Sequence, residues 1–326
     1  MKNITTLIQA LLLIKGIKRK TIYKIYNSLD NLEDTDKIIY LCKNINKSID
    51  KDTFYDYIKK AEDKIYEASL KNINTLTFLD DEFPNRLRLI DDPPVLIYTK
   101  GNIKTFNKGI NVAIIGTRNP TKHGEGITKR LSQNFTKESC NIISGLANGC
   151  DQIAHLSCLE EKGNTLAVLP SGINNIYPKS NIELADKIVA SEGILISEYP
   201  IDHKPYKTEY IERDRLQSAL SEIVVIVETN IKGGTMHTAN FALLQNKILA
   251  CYKHPEKYNN NEKSLGNKKL ISEKKALSIS NKEDINRLIE KAKKLETELN
   301  KQNIIKFKKF EQMKLPTLGG DYGSNF

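Results

Sequence analysis

Between residues 111 and 252 the chain alternates short apolar runs with stretches long enough for a helix, and this alternation constrains the fold more than any other feature. The runs fall at 112–115, 142–143, 165–169, 194–196, 223–227 and 248–251. They are short, rich in β-branched residues and apolar at consecutive positions, as suits strands covered on both faces. The intervening stretches, near 122–138, 150–162, 180–191, 210–220 and 235–246, are long enough for crossover helices. Strand–helix alternation of this kind predicts an α/β fold built on a doubly wound, mostly parallel sheet.

The two ends read differently. Residues 1–70 keep helical spacing of apolar residues (Leu7, Leu11, Ile14, then Ile22, Ile25, Tyr26, Leu29), with Gly16 as a break. The stretch 75–100 contains Phe83-Pro84 and Asp91-Asp92-Pro93-Pro94 and reads as a connector. The polar, Asn/Lys-rich stretch 256–275 reads as a mobile loop. Residues 282–314 read as one charged helix with Ile285, Leu288, Ile289, Ala292, Leu295 and Leu299 as its apolar stripe, followed by a disordered, glycine-rich end. A chain of 326 residues is long enough for two or three domains. The expected division is a helical domain over 1–74, an α/β core over 75–280 and a charged helical tail over 281–326.

Charge is unevenly spread. The chain carries a net charge of +10, yet residues 111–252 are close to neutral and the excess sits at both ends, most of it after residue 252. Such a balance fits a polyanion partner without requiring one. No apolar stretch near the start approaches the roughly 20 residues that span a bilayer, and no secretory leader is recognisable. A cytoplasmic protein with no membrane partner is expected. The five cysteines (Cys42, Cys140, Cys150, Cys158, Cys251) form no C-x-x-C pair and read as small buried apolar residues, with no metal site and no disulfide framework.

The polar, glycine-bearing segments follow the strands. Ile115-Gly116-Thr117-Arg118 leaves the first run, with a glycine that turns the backbone sharply and an arginine suited to phosphate. A helix N-terminus after such a turn is an anion site. Ser144-Gly145-Leu146-Ala147-Asn148-Gly149-Cys150-Asp151 follows the second run; Asp151 is placed to cap the next helix, and His155, one turn on, reads as a buried, hydrogen-bonded histidine. Tyr177-Pro178-Lys179 follows the third, offering a ring for a base and a point charge for a phosphate. Gly233-Gly234-Thr235 follows the fifth. On the helix before that run, Arg213 and Arg215 lie about 200° apart, so one reaches the cleft while the other pairs with an acid. Ligands of open α/β sheets bind at the carboxyl edge where these loops gather. Neither G-x-G-x-x-G nor a Walker A loop is present, and no nucleophile–base pair or pair of catalytic carboxylates is apparent.

These residues, taken in order, resemble the DNA-processing protein A (DprA, Smf) family. The resemblance rests on Val112-Ala113-Ile114-Ile115-Gly116-Thr117-Arg118, the Ser144–Asp151 loop with His155, Tyr177-Pro178-Lys179 and Ser197-Glu198-Tyr199-Pro200. Phe83-Pro84 with Asp92-Pro93-Pro94-Val95-Leu96 upstream, and Glu212-Arg213-Asp214-Arg215-Leu216 and Gly233-Gly234-Thr235-Met236-His237-Thr238-Ala239 downstream, extend it over about residues 75–280. The resemblance implies a Rossmann-like core and a non-enzymatic, single-stranded-DNA-binding protein without a cofactor. It would protect incoming DNA in natural transformation or recombination and load the recombinase RecA, as a homodimer. Carried over by motif, Gly116, Arg118, Ser144, Gly145, Gly149, Lys179, Arg213 and Gly234 would line the DNA groove. Thr117, Asn148, Tyr177 and Thr235, on the same loops, complete the expected set.

The chain departs from the family pattern in places. Asp214 stands where the family has Asn, and a carboxylate there either ties down an arginine or repels phosphate. Tyr252-Lys253-His254-Pro255 lacks the family's Pro-Gly, and no winged-helix pattern is recognisable after it. Near the N-terminus, Leu12-Leu13-Ile14-Lys15-Gly16-Ile17-Lys18-Arg19 resembles a helix-hairpin-helix with Lys18 in place of the second glycine, as in a structural SAM-like domain. The alternative is a nucleotide-binding, phosphoribohydrolase-like enzyme. Against it, the loop at Gly233-Gly234 lacks a third glycine, and Ala239-Asn240 stand where a catalytic Glu would be sought. A third option is an interaction role for the two ends of the chain.

Overall fold

A computed structural model describes residues 4–29, 34–258 and 261–295. Four helices open the chain: α1 (Ile4–Leu13), α2 (Arg19–Asn27), α3 (Thr35–Ile45) and α4 (Lys51–Leu70). The rest alternates: β1 (Asn74–Thr77), α5 (Asn85–Arg88), β2 (Leu96–Gly101), β3 (Asn111–Ile115), α6 (Lys122–Lys137), β4 (Asn141–Ser144), α7 (Cys150–Glu160) and β5 (Thr165–Leu169). Then come α8 (Ile182–Ala190), β6 (Ile194–Ser197), α9 (Lys207–Ala219), β7 (Ile223–Ile226), α10 (Thr235–Leu244), β8 (Ile248–Tyr252), α11 (Glu262–Ser272) and β9 (Leu277–Ile279). A last helix occupies 282–295.

Among the described residues the strands form one sheet in the order β1-β2-β6-β5-β4-β3-β7-β8-β9. All neighbours from β6 to β9 are parallel, while β1–β2 and β2–β6 are antiparallel. The expected Rossmann-like, doubly wound sheet is therefore present. Its strand order reverses between β3 and β7, which opens a crevice at their carboxyl ends. Consecutive strand residues serve opposite layers. Val112 and Ile114 pack with α6, α7 and the last helix, whereas Ala113 and Ile115 pack with α9, α10 and α11.

Two readings of the sequence are corrected. Residues 75–100, expected as a connector, supply β1 and β2, which extend the sheet; the Pro93-Pro94 pair sits just before β2. The stretch 256–275, expected as a mobile loop, contains α11, capped by the Asn261 side chain accepting from Lys263 N–H at 3.0 Å. Its anchor is polar. The Asn267 side chain donates to Val227 O (2.8 Å) and Tyr252 O (3.1 Å) and accepts from Thr229 N–H (3.0 Å), tying together the carboxyl ends of β7 and β8. Ile285, Leu288, Ile289 and Ala292 of the expected stripe are buried against the sheet. Leu299, the remainder of the expected tail helix and the glycine-rich end lie outside the described residues. All five cysteines are buried and free.

The N-terminal helices share one apolar cluster with β2 and α8, and α1 and α4 pack closely on each other. An ionic cluster links the same helices to the sheet and its flanking helix α9. The Arg19 guanidinium lies 2.7 Å from Asp92, 3.1 Å from Glu212 and 3.5 Å from Glu198, and Arg215 pairs with Glu198. Among the described residues, no helix is long and apolar enough to cross a membrane.

Candidate nucleic-acid interface

The loops after β3, β4 and β7 meet over the crevice, and their glycines are demanded first by one another. A Cβ on Gly116 would lie 2.5 Å from Cys150 Sγ, at the start of α7. Gly149 holds φ +81°, a left-handed backbone that suits glycine, and a Cβ there would lie 2.5 Å from Arg118 O. A Cβ on Gly145 would collide with the Arg213 guanidinium at 1.7 Å. Gly234 is different: it is exposed, and nothing lies within 4 Å of its missing side chain.

Beneath this surface the polar groups turn inward to protein partners, although Arg213 Nε, Arg215 Nε and His155 Nε2 form no hydrogen bond. Ser144 is fully buried and donates its hydroxyl to Ile114 O at 2.7 Å. Arg213 is buried and donates through Nη1 to Gly145 O and Val168 O, both at 2.8 Å, with Nε 3.1 Å from Asp214. The other arginine of the pair, Arg215, is also buried and holds Glu198, so the two do point to different partners. His155 is buried, its Nδ1 bonded to Thr165 Oγ1 at 2.7 Å, and burial with the nearby Arg213 charge pushes it down to about 3.

Two expectations at this edge change. Asp151 was placed to cap its own helix. Instead it lies inside the first turn of α7 and its carboxylate reaches back to accept Gly145 N–H at 3.0 Å, so it holds the loop rather than the helix end. The α6 N-terminus, expected to receive an anion, already has one. The buried Glu228 carboxylate accepts Thr121 N–H at 2.8 Å and the Thr121 hydroxyl at 2.5 Å, and Thr121 in turn caps α6 through Gly124 N–H at 3.0 Å. A fixed internal carboxylate takes the place that the helix dipole would offer a phosphate.

What faces outward is a rim of cations and rings. Arg118 is exposed, with its guanidinium 5.2 Å from the centre of the Tyr210 ring. Tyr177, half exposed, meets the same ring edge-on at 6.1 Å. Lys179 is exposed beside it, and Ser180 donates to the exposed Asn148 at 3.1 Å, joining the two loops. A groove of about 430 Å³ opens at the strand-order switch, and Gly116, Thr117, Arg118, Arg213, Gly234 and Thr235 of the expected set line it. Ser144, Gly145 and Gly149 support it from below. Asn148, Tyr177 and Lys179 flank it.

Among the groove residues that sequence reasoning missed are Tyr210, His237 and Lys263. Tyr210 lies one helical turn before Arg213 and Asp214, a spacing that signals a shared face. His237 stands within a quoted motif. Lys263, which donates to Asn119 O at 2.5 Å, comes from the helix misread as a loop and carried no signal. Asp214 also lines the groove; burial, reinforced by Asp151 and opposed by Arg213, pushes it up to about 6. Among the described residues, no group of three or more His, Cys, Asp or Glu side chains is placed to hold a metal ion.

The family model described as DNA recombination-mediator protein A matches residues 74–290. A curated relative, the DNA processing protein DprA of Bacillus subtilis, is 37% identical over 177 residues, which cover 54% of this chain. The chain spans 59% of that relative's length and 45% of a second curated relative's. The crystal structure of DNA processing protein A from Streptococcus pneumoniae superposes with a TM-score of 0.74 at 25% identity, covering 88% of this chain and 98% of that one. The DNA processing protein A of Helicobacter pylori, whose structure concerns its single-stranded DNA binding mode, superposes with a TM-score of 0.60 at 31% identity, covering 67% of this chain and 96% of that one.

Proposed function

Because the chain belongs to the DNA recombination-mediator protein A family, we propose that it binds single-stranded DNA along the carboxyl edge of its sheet without reading the sequence. The observation that carries this reading is the rim itself: Arg118 over Tyr210, Tyr177 against the same ring, and Lys179 alongside. A guanidinium and an ammonium hold phosphates, and two tyrosine faces take bases of any identity. None of these contacts distinguishes one base from another.

We read the protein as a binder rather than a hydrolase. His155 is buried and held neutral, Ser144 is spent on a backbone carbonyl, and Asp151 is spent on loop amides. A nucleophile, a base and an open position for substrate do not coincide in that arrangement. The Helicobacter protein's association with single-stranded DNA supports the ligand class. Loading of RecA, assembly as a homodimer, a place in natural transformation and residence in the cytoplasm are proposed from the family alone.

The test is binding of fluorescent oligo(dT) and of a duplex of equal length across a salt series, for the wild type and an Arg118→Ala/Lys179→Ala variant. The expected result is preference for the single strand, weakening with salt, and loss in the double variant. Equal binding by the variant would move the DNA site to the basic ends of the chain. Release of free base from nucleoside monophosphates, above the level of the same variant, would restore the enzyme reading.

A further inference from the structure

The opposite, amino end of the parallel strands carries a second basic feature. A cleft of about 400 Å³ opens where β8 and β9 begin, walled by the turn after α11 and by the last helix. Five lysines line it: Lys247, Lys274, Lys275, Lys291 and Lys294. Its floor is apolar and ends in Leu277, which is 44% exposed. Among the described residues no acidic side chain lines the cleft. Two of the lysines are already engaged, Lys275 with Glu273 at 2.7 Å and the half-buried Lys247 with Ala219 O at 2.9 Å. Lys274, Lys291 and Lys294 form no ion pair among the described residues. Three uncompensated ammonium groups around an apolar floor raise the local potential where an apolar group would also be welcome.

We propose that this cleft docks an acidic peptide segment bearing an apolar side chain, supplied by a partner protein. The chemistry of the lining selects that occupant. Nucleic acid is a poor match, because no aromatic ring offers a stacking face here and no arginine offers a fork, and both are present at the carboxyl edge. A phosphate backbone would also leave the apolar floor unused. Carboxylates on a flexible strand suit lysines, whose point charges ride on mobile stems, and a neighbouring leucine or phenylalanine would cover Leu277. The chain's own continuation is the wrong sign, since residues 301–314 hold five lysines and one glutamate. The cleft lies at the other end of the strands from the proposed DNA groove, so a partner held here leaves that groove free.

The experiment is fluorescence anisotropy of a labelled peptide of four acidic residues followed by leucine and phenylalanine, titrated with the full chain. Controls are a peptide with the acids replaced by their amides and one with the two apolar residues replaced by serine. The variants are Lys274→Gln/Lys291→Gln/Lys294→Gln, which removes charge with little change in shape, and Leu277→Ser. Circular dichroism checks that each is folded. The expected result is saturable binding that weakens with salt, falls at least about tenfold in the triple variant and in the amide peptide, and weakens in Leu277→Ser. Oligo(dT) affinity stays unchanged in all of them. Absence of saturable binding, or binding indifferent to the three lysines, overturns the proposal. A parallel loss of oligo(dT) affinity in the triple variant also overturns it and makes the cleft a nucleic-acid surface. A change of oligomeric state in the variant, with no peptide bound by the wild type, overturns it in favour of a contact between copies.

Discussion

Asp214 is one of the positions at which the chain departs from the expected family pattern, and its surroundings make the consequence measurable. The carboxyl side chain is 13% exposed, 3.1 Å from Arg213 Nε, with Asp151, Thr238 and His237 also acting on it. Burial pushes it from 3.8 up to about 6 despite the arginine. A carboxyl group raised in the folded state binds its proton more tightly there than in the unfolded chain. Stability therefore falls as pH rises from the ordinary aspartate range to about 6, and levels off above. At about 1.4 kcal/mol per tenfold, the full effect is on the order of 2–3 kcal/mol. Asn mimics the protonated form in shape and hydrogen-bonding capacity but cannot ionise. Asp214→Asn is accordingly expected to be more stable than the wild type at pH 7.5 by about 2 kcal/mol, and the gap should close as pH falls from 6 toward 4.

The assay is urea unfolding of both proteins between pH 4.5 and 7.5. The chain has 14 tyrosines and no tryptophan, so far-ultraviolet circular dichroism is the direct signal. With a denaturant slope near 3 kcal/mol per molar, the midpoint should rise by roughly 0.7 M at the upper pH and scarcely move at the lower. Other groups titrate in both proteins and largely cancel in the difference. A gap of the same size at every pH, or a wild type more stable than the variant at pH 7.5, would refute the reasoning. It would make Asp214 an ordinary ionised partner of Arg213.

Three further outcomes follow from the same structure. Arg19→Ala removes the link to Asp92, Glu198 and Glu212 and leaves the largely buried Glu198 to Arg215 alone; we expect a loss of about 2 kcal/mol in urea unfolding. Gly145→Ala displaces the Arg213 guanidinium from two carbonyls and should lower stability by about 2–3 kcal/mol together with oligo(dT) affinity, whereas Gly234→Ala should unfold like the wild type. If Arg118, Lys179 and Lys263 are the cations that meet phosphate, log affinity against log salt should have a slope near −2, at about −0.7 per phosphate on a single strand; a slope beyond about −4 would mean that the basic ends touch DNA as well.

Much of the core was legible because its signal is local. Strands buried on both faces must be apolar at consecutive positions, so β3, β5, β7 and β8 stood out, and the helices between them inherited their length from the spacing. Elements held by polar contacts were not legible. In α11 the buried face includes Ser264 and Asn267, and what anchors Asn267 is a set of backbone groups on β7 and β8 more than 10 residues away in sequence. No periodicity reports such a bond. β1 and β2 failed for a related reason: their short runs flank a Pro-Pro pair, and their partners are each other and β6, which only the folded sheet reveals.

The same contrast runs through the groove. Its loops were recognisable from their glycines, but the reason for those glycines was not. Gly116, Gly145 and Gly149 make room for Cys150, Arg213 and the Arg118 carbonyl, so they bring the loops after β3 and β4 into contact with each other and with α9 before any ligand arrives. The carboxylates complete that logic. Glu228 fills the end of α6 and Asp151 holds the amide of Gly145, so the two most obvious anion sites are closed from within. On the proposed reading, contact with phosphate falls to exposed side chains on the rim, Arg118 and Lys179, which rest on loops held by buried bonds. A rim of this kind contacts a flexible strand at separated points and has no deep phosphate socket. On that reading the geometry suits a passing single strand better than a tightly held mononucleotide, with the fixed, acid-stitched loops serving to position the rim.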